Sequence, residues 1–178
     1  MFLRFILVIA ALLSCGCGRS GDLNDASVKM LLESQPVALE AEQVSLTQTQ
    51  FDCGVKEELW DPPIQVSQER SSSRLTAAGK ALKFEDDVSI GEAGHKQPYV
   101  QVRGEFPVKV AEVVGITDGP SADTRLAQTK AGIKIRHSCF PTPLPLLGVK
   151  RGKFSEDANP VFQFRGAKED WRFDRLIH

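Results

Sequence analysis

The sequence predicts an α+β domain, with two short helices near the N-terminus followed by four or five strands in a mainly antiparallel sheet. Two early segments carry apolar residues at helical spacing, whereas most of the chain beyond Tyr99 alternates apolar with polar residues. Turn signals at Asp118-Gly119-Pro120 and Arg165-Gly166 break up the alternating part. The composition is that of one folded unit: 178 residues, 42% hydrophobic and 25% charged, with ten Phe, two Trp and one Tyr to fill a single core. These values exclude a disordered, collagen-like or multi-span membrane chain. With 22 basic against 23 acidic residues the formal charge is −1, which argues against a nucleic-acid binder and its strongly basic face.

The elements follow in order. Asn24 or Asp25 caps a helix over about Ala26 to Ser34, with Val28, Leu31 and Leu32 as its apolar stripe and Pro36 beyond its end. Val44 to Val55 reads as an extended stretch that places Phe51, Cys53 and Val55 on one face, and Asp61-Pro62-Pro63 ends it. Leu75, Ala78 and Leu82 stand at i, i+3 and i+7, which predicts a second helix weakened by Gly79. Val100 and Val102 alternate with Tyr99, Gln101 and Arg103 as a strand that ends near Gly104 or Pro107. Val108 and Val110 begin the next, whose phase slips near Glu112 as a β-bulge would make it. Leu126 to Cys139 supplies a third, with Ile133, Ile135, His137 and Cys139 on one face. Phe162 with Phe164, and Trp171 with Phe173, mark the last two.

Ahead of the domain, Met1-Phe2-Leu3-Arg4 gives a short positive start, and Phe5 to Leu13 is uninterruptedly apolar. Such a run reaches only about 14 Å as a helix, against a hydrocarbon core of about 30 Å, so it has the length of a secretory leader and not of a membrane span. Leu12-Leu13-Ser14-Cys15, followed by Gly16-Cys17-Gly18, resembles the lipobox of bacterial lipoproteins. In that family the cysteine thiol receives a diacylglycerol and the leader is cut just before it. The resemblance makes Cys15 the lipidated first residue of the mature protein, with Ser14 just before the cut and Leu12 as the apolar recognition residue. Cys17 lacks an apolar residue three places before it. Each buried methylene contributes about 0.8 kcal/mol, so two or three chains on one cysteine attach permanently where one binds reversibly. Gly16 stands where many Gram-negative lipoproteins carry the Asp that retains them in the inner membrane. The resemblance thus implies the outer membrane, with the domain facing the periplasm. The expected organisation is a leader over 1–14, the lipidated cysteine and a flexible tether over 15–25, and an α+β domain over 26–178.

Four cysteines in an exported chain meet an oxidising space. With Cys15 assigned to lipid, a disulfide between Cys53 and Cys139 is the natural proposal, and two unpaired buried thiols are the alternative. Cys17 is left over beside the anchor. His137-Ser138-Cys139 with Cys53 also offers one nitrogen and two sulfurs, a three-ligand set for zinc, although a core histidine beside a disulfide explains the same residues. The chain has no Gly-x-Ser-x-Gly, no His-Glu-x-x-His and no phosphate-cradling glycine loop. Glu85-Asp86-Asp87 reads as a solvated turn, and Pro141-Thr142-Pro143-Leu144-Pro145 as a rigid connection between strands.

Arg74-Leu75-Thr76-x-x-Gly79-Lys80, followed by strands and then Glu169-Asp170-Trp171-Arg172, is similar to a loosely defined group of small bacterial envelope lipoproteins. The similarity spans roughly residues 26–177 and implies a fold, not an activity. The expectation is a membrane-anchored, non-enzymatic module that binds an envelope protein or component, an inhibitor of a periplasmic hydrolase being a special case. It carries no catalytic residue, metal or cofactor. The alternative is a periplasmic metal-binding protein or enzyme using Cys53, His137 and Cys139.

Overall fold

The structure is a computed structural model that describes residues 22–90, 97–167 and 170–177. The leader, Cys15, Cys17, His95 and His178 lie outside the described residues. Helix α1 (Asp25–Glu33) begins where Asn24 Oδ1 accepts the Ser27 N–H at 3.0 Å. Its stripe is the expected one, with Val28 and Leu32 buried and Leu31 half-buried.

The stretch expected to be extended from Val44 to Val55 divides instead. Strand β1 (Val37–Ser45) stops at Ser45, and helix α2 (Gln48–Lys56) follows at once. The cause is a capping box: Thr47 Oγ1 accepts the Gln50 N–H at 3.2 Å, and Gln50 Oε1 accepts the Thr47 N–H at 2.8 Å. Phe51, Cys53 and Val55 therefore do not share a strand face. Trp60 closes over the helix, stacking on Phe51 at 5.9 Å and donating from Nε1 to the Phe51 carbonyl at 3.0 Å. The indole lies so near Gly54 that a Cβ there would come within 2.0 Å of the ring.

A third short helix, α3 (Ala77–Ala81), is capped by Thr76, whose Oγ1 accepts the Gly79 N–H at 3.3 Å. Leu75 stays outside it and pairs with Trp60 in an isolated bridge. The expected pair of N-terminal helices ahead of a run of strands is thus not what forms. Three short helices are described, the first ahead of β1 and the others interleaved with strands. The coarser reading holds: the domain is small, its strands are antiparallel and its helices are few.

The first sheet joins β1 to β2 (Ile64–Gln65), β3 (Ser71–Ser73), β4 (Val88–Ile90) and β5 (Tyr99–Phe106), in the spatial order β1-β5-β4-β3-β2. Pro107 then passes the chain into the second sheet through β6 (Val108–Asp118) and β7 (Thr124–Ile133). The phase slip near Glu112 is real, because the β6–β7 register shifts between Val110 and Glu112 and again between Val113 and Gly115. Strand β8 (Leu144–Pro145) pairs with β7, and β9 (Gly148–Lys150) and β10 (Lys153–Ser155) form a hairpin. Finally β11 (Val161–Arg165) and β12 (Arg172–Ile177) complete the order β12-β11-β7-β6. Four or five expected strands become twelve among the described residues, since pieces of two or three residues carry too little periodicity to be read.

The third expected strand also ends early, at Ile133 instead of Cys139. Alternation of burial persists, with Ile135 and Cys139 buried and Lys134 and Arg136 exposed. The ladder does not, because the Phe140 N–H turns back to the His137 carbonyl at 3.0 Å. Side chains of both sheets merge in one core, where Val44, Val100 and Val102 meet Ile133, Phe162 and Phe164.

Candidate functional site

Cys53 on α2 and Cys139 in the turn after β7 are joined in a disulfide, with their Cα atoms 5.5 Å apart. The expected pairing holds although neither cysteine sits on a strand. The bridge lies against an aromatic cluster in which Trp60 meets Phe84 at 5.9 Å and Phe140 at 6.3 Å, and Phe84 meets Phe140 edge-on at 5.6 Å. His137 stands beside Phe140 at 5.8 Å, and its Nδ1 accepts the Cys139 N–H at 3.2 Å. The two sulfurs are bonded to each other, so neither is a thiolate in this state and the three-ligand set of Cys53, His137 and Cys139 is not assembled. Among the described residues no three His, Cys, Asp or Glu side chains gather as a metal set.

Among the described residues, two of the concavities differ clearly in character as places for a ligand. The first, of about 690 Å³, has an apolar floor that includes Val110, Ala131, Pro143 and Leu146. Lys109 and Lys130 stand at its rim, each already paired, with Glu33 at 2.8 Å and Glu112 at 2.6 Å. The proline-rich connection contributes here as β8, held against Gly132 and Ile133. A Cβ on Gly132 would meet the Leu144 carbonyl at 2.7 Å, so the close approach of these strands depends on that glycine.

The second concavity, of about 570 Å³, is polar and built on one face of the first sheet. Strand pairing sets Gln43 opposite Gln101, Tyr99 opposite Ser89, and Ser89 opposite Ser72, so one strip crosses four strands. Period-two alternation turns Val44, Val100 and Val102 to the core and leaves these polar side chains on the other face. Arg70 Nη2 donates to Ser89 Oγ at 3.4 Å. The Glu85-Asp86-Asp87 turn forms one end and is exposed, as expected. Asp87 Oδ1 accepts the Leu75 N–H at 3.0 Å. Glu85 bonds Arg103, and that hydrogen bond with its attraction holds the guanidinium proton more firmly than usual.

Sequence reasoning recognised Tyr99 and Gln101 as the polar phase of a strand but not as part of a site. Their neighbours come from strands far along the chain, and only the register of pairing brings them together. Comparison with protein-family models, curated proteins and solved structures returns no match for this chain.

Proposed function

We propose that this chain is a lipid-anchored envelope lipoprotein whose domain binds a protein or another envelope component without transforming it. The leader pattern ending at Cys15 supplies the anchor in this reading, and Gly16 directs it to the outer membrane, facing the periplasm. The observation that carries the reading is the Cys53–Cys139 disulfide, because such bonds persist in oxidising compartments and are rare in the reducing cytosol. The concave polar and apolar surfaces support binding, each being of the size that small ligands or side chains of a partner fill.

Metabolic labelling with radioactive palmitate tests the anchor. Label incorporated by the unaltered chain and lost in Cys15→Ala, with release of the protein from the membrane fraction, is the expected result. Equal membrane retention and gel mobility of both forms overturns it. Crosslinking in intact cells tests the binding role, and a reproducible partner is expected.

A further inference from the structure

We infer that the tip of the β9–β10 hairpin rests on the anionic phospholipid headgroups of the bilayer to which the chain is tied. The inference takes its bilayer from the anchored reading and goes beyond it by naming the surface that meets the lipid. Arg151-Gly152 is the two-residue turn between the strands, and Lys150 and Lys153 stand directly opposite each other across the hairpin. Lys150, Arg151 and Lys153 are all exposed, so three cations crowd one tip. None of them forms an ion pair among the described residues. The nearest acids along the chain, Glu156 and Asp157, come only after β10, and Glu156 accepts the Gln97 N–H at 3.2 Å.

The fold gives up stability at this tip in two separate ways. Like charges directly opposite in a strand pair repel. Arg151 also has a φ of 54°, ahead of Gly152 at 75°. A two-residue turn with both φ values positive favours Asn-Gly, because a longer side chain is disfavoured in that region. Lysines on a free edge guard against aggregation, but that purpose needs no arginine at a strained turn position. The root of the hairpin is firm: the Gly148 N–H donates to the Ala158 carbonyl at 3.0 Å, and Val149 pairs with Phe154.

Position selects phospholipid among the possible anions. Lys29 of α1 and Glu156 and Ala158 beyond β10 line the same concavity, so the hairpin stands beside the helix that the tether enters. The chain from Cys15 to Asp22 reaches at most about 25 Å, which is short against the diameter of about 40 Å for a domain of this size. The domain therefore stays beside the headgroup layer and meets its phosphates at a far higher effective concentration than any diffusing polyanion. A fluid layer of phosphates needs charge without a shaped pocket, and Lys and Arg at a bare tip supply charge-assisted hydrogen bonds of that kind.

The test is flotation of the full chain carrying Cys15→Ala, which takes no lipid, with vesicles of phosphatidylcholine alone or with about 30% phosphatidylglycerol. The neutral vesicles subtract whatever the apolar leader contributes. Excess binding to the anionic vesicles is expected, and it should fade as salt rises from about 0.05 to about 0.5 M. Lys150→Gln, Arg151→Asn and Lys153→Gln should each weaken the excess about fivefold. Arg151→Lys, and Lys80→Gln as an exposed change on α3, should leave it unchanged. Asparagine suits the turn better than arginine, so loss of binding in Arg151→Asn does not come from misfolding. No excess on anionic vesicles, an excess that survives the three hairpin substitutions, or an equal loss in Lys80→Gln overturns the inference. Capture by immobilised polyglutamate without any excess on vesicles also overturns it, in favour of an acidic protein. Palmitate uptake without a vesicle excess keeps the anchor and loses the hairpin contact. A vesicle excess without palmitate uptake does the reverse.

Discussion

Replacing both Cys53 and Cys139 by Ala opens a covalent ring whose ends lie 86 residues apart. The native fold loses little from the change, because the two chain segments are also held by Phe51, Trp60 and Phe140. The unfolded chain gains much more freedom. Chain entropy for a loop of this length corresponds to about 4–5 kcal/mol. In a domain of this size each kcal/mol moves the melting temperature by about 2–4 °C, so a fall of about 8–20 °C is expected. Circular dichroism melts of the oxidised protein, the same protein in reductant and the double variant should give one high midpoint and two matching low ones. Urea titration should also show a steeper transition for the opened forms, since their unfolded chains expose more surface. A midpoint change below about 3 °C would refute the reasoning and place the tie between α2 and the 137–140 turn in packing alone.

Three further outcomes follow from local geometry. Gly54→Ala drives a methyl to within 2.0 Å of the Trp60 indole and should cost about 1–3 kcal/mol or more in urea unfolding, with a change in tryptophan fluorescence. Thr47→Ala removes one half of the capping box that starts α2 and should cost about 1 kcal/mol, whereas Thr47→Ser should be nearly neutral. The Glu33 carboxyl is pushed up by burial, but the hydrogen bonds from Lys109 Nζ at 2.8 Å and the Val110 N–H at 2.9 Å outweigh this and hold it below its usual range. Its stabilising effect is therefore complete above the ordinary value of 4.5 and is lost as pH falls through the lowered one. The urea-midpoint difference between the unaltered chain and Glu33→Gln should be present at neutral pH and shrink as the solution is acidified below the ordinary carboxyl value of 4.5.

What could be read in the sequence was whatever one element states by itself. Val28 and Leu32 fix a helix face, the slip at Glu112 gives away a bulge, and Phe162 with Phe164 mark a core strand. The disulfide was legible because cysteines are few, even though both were assigned to the wrong kind of element. The Val44–Val55 reading failed because period-two spacing of Phe51, Cys53 and Val55 competed with the shorter but decisive Thr47-x-x-Gln50 signal. The polar strip was illegible for a different reason. Gln43, Ser72, Ser89 and Gln101 are unremarkable one at a time, and only the order β1-β5-β4-β3 makes them neighbours.

Residues 61–70 are all exposed, and this prominence lies within the ring closed by Cys53 and Cys139. A protease that nicks the chain there, after Arg70 for instance, produces two pieces that stay tethered. The cut molecule should migrate as one band without thiol and as two with it. The bridge thus acts as a splint as well as a stabiliser: a single scission anywhere from Gly54 to Ser138 scars the protein without dismembering it.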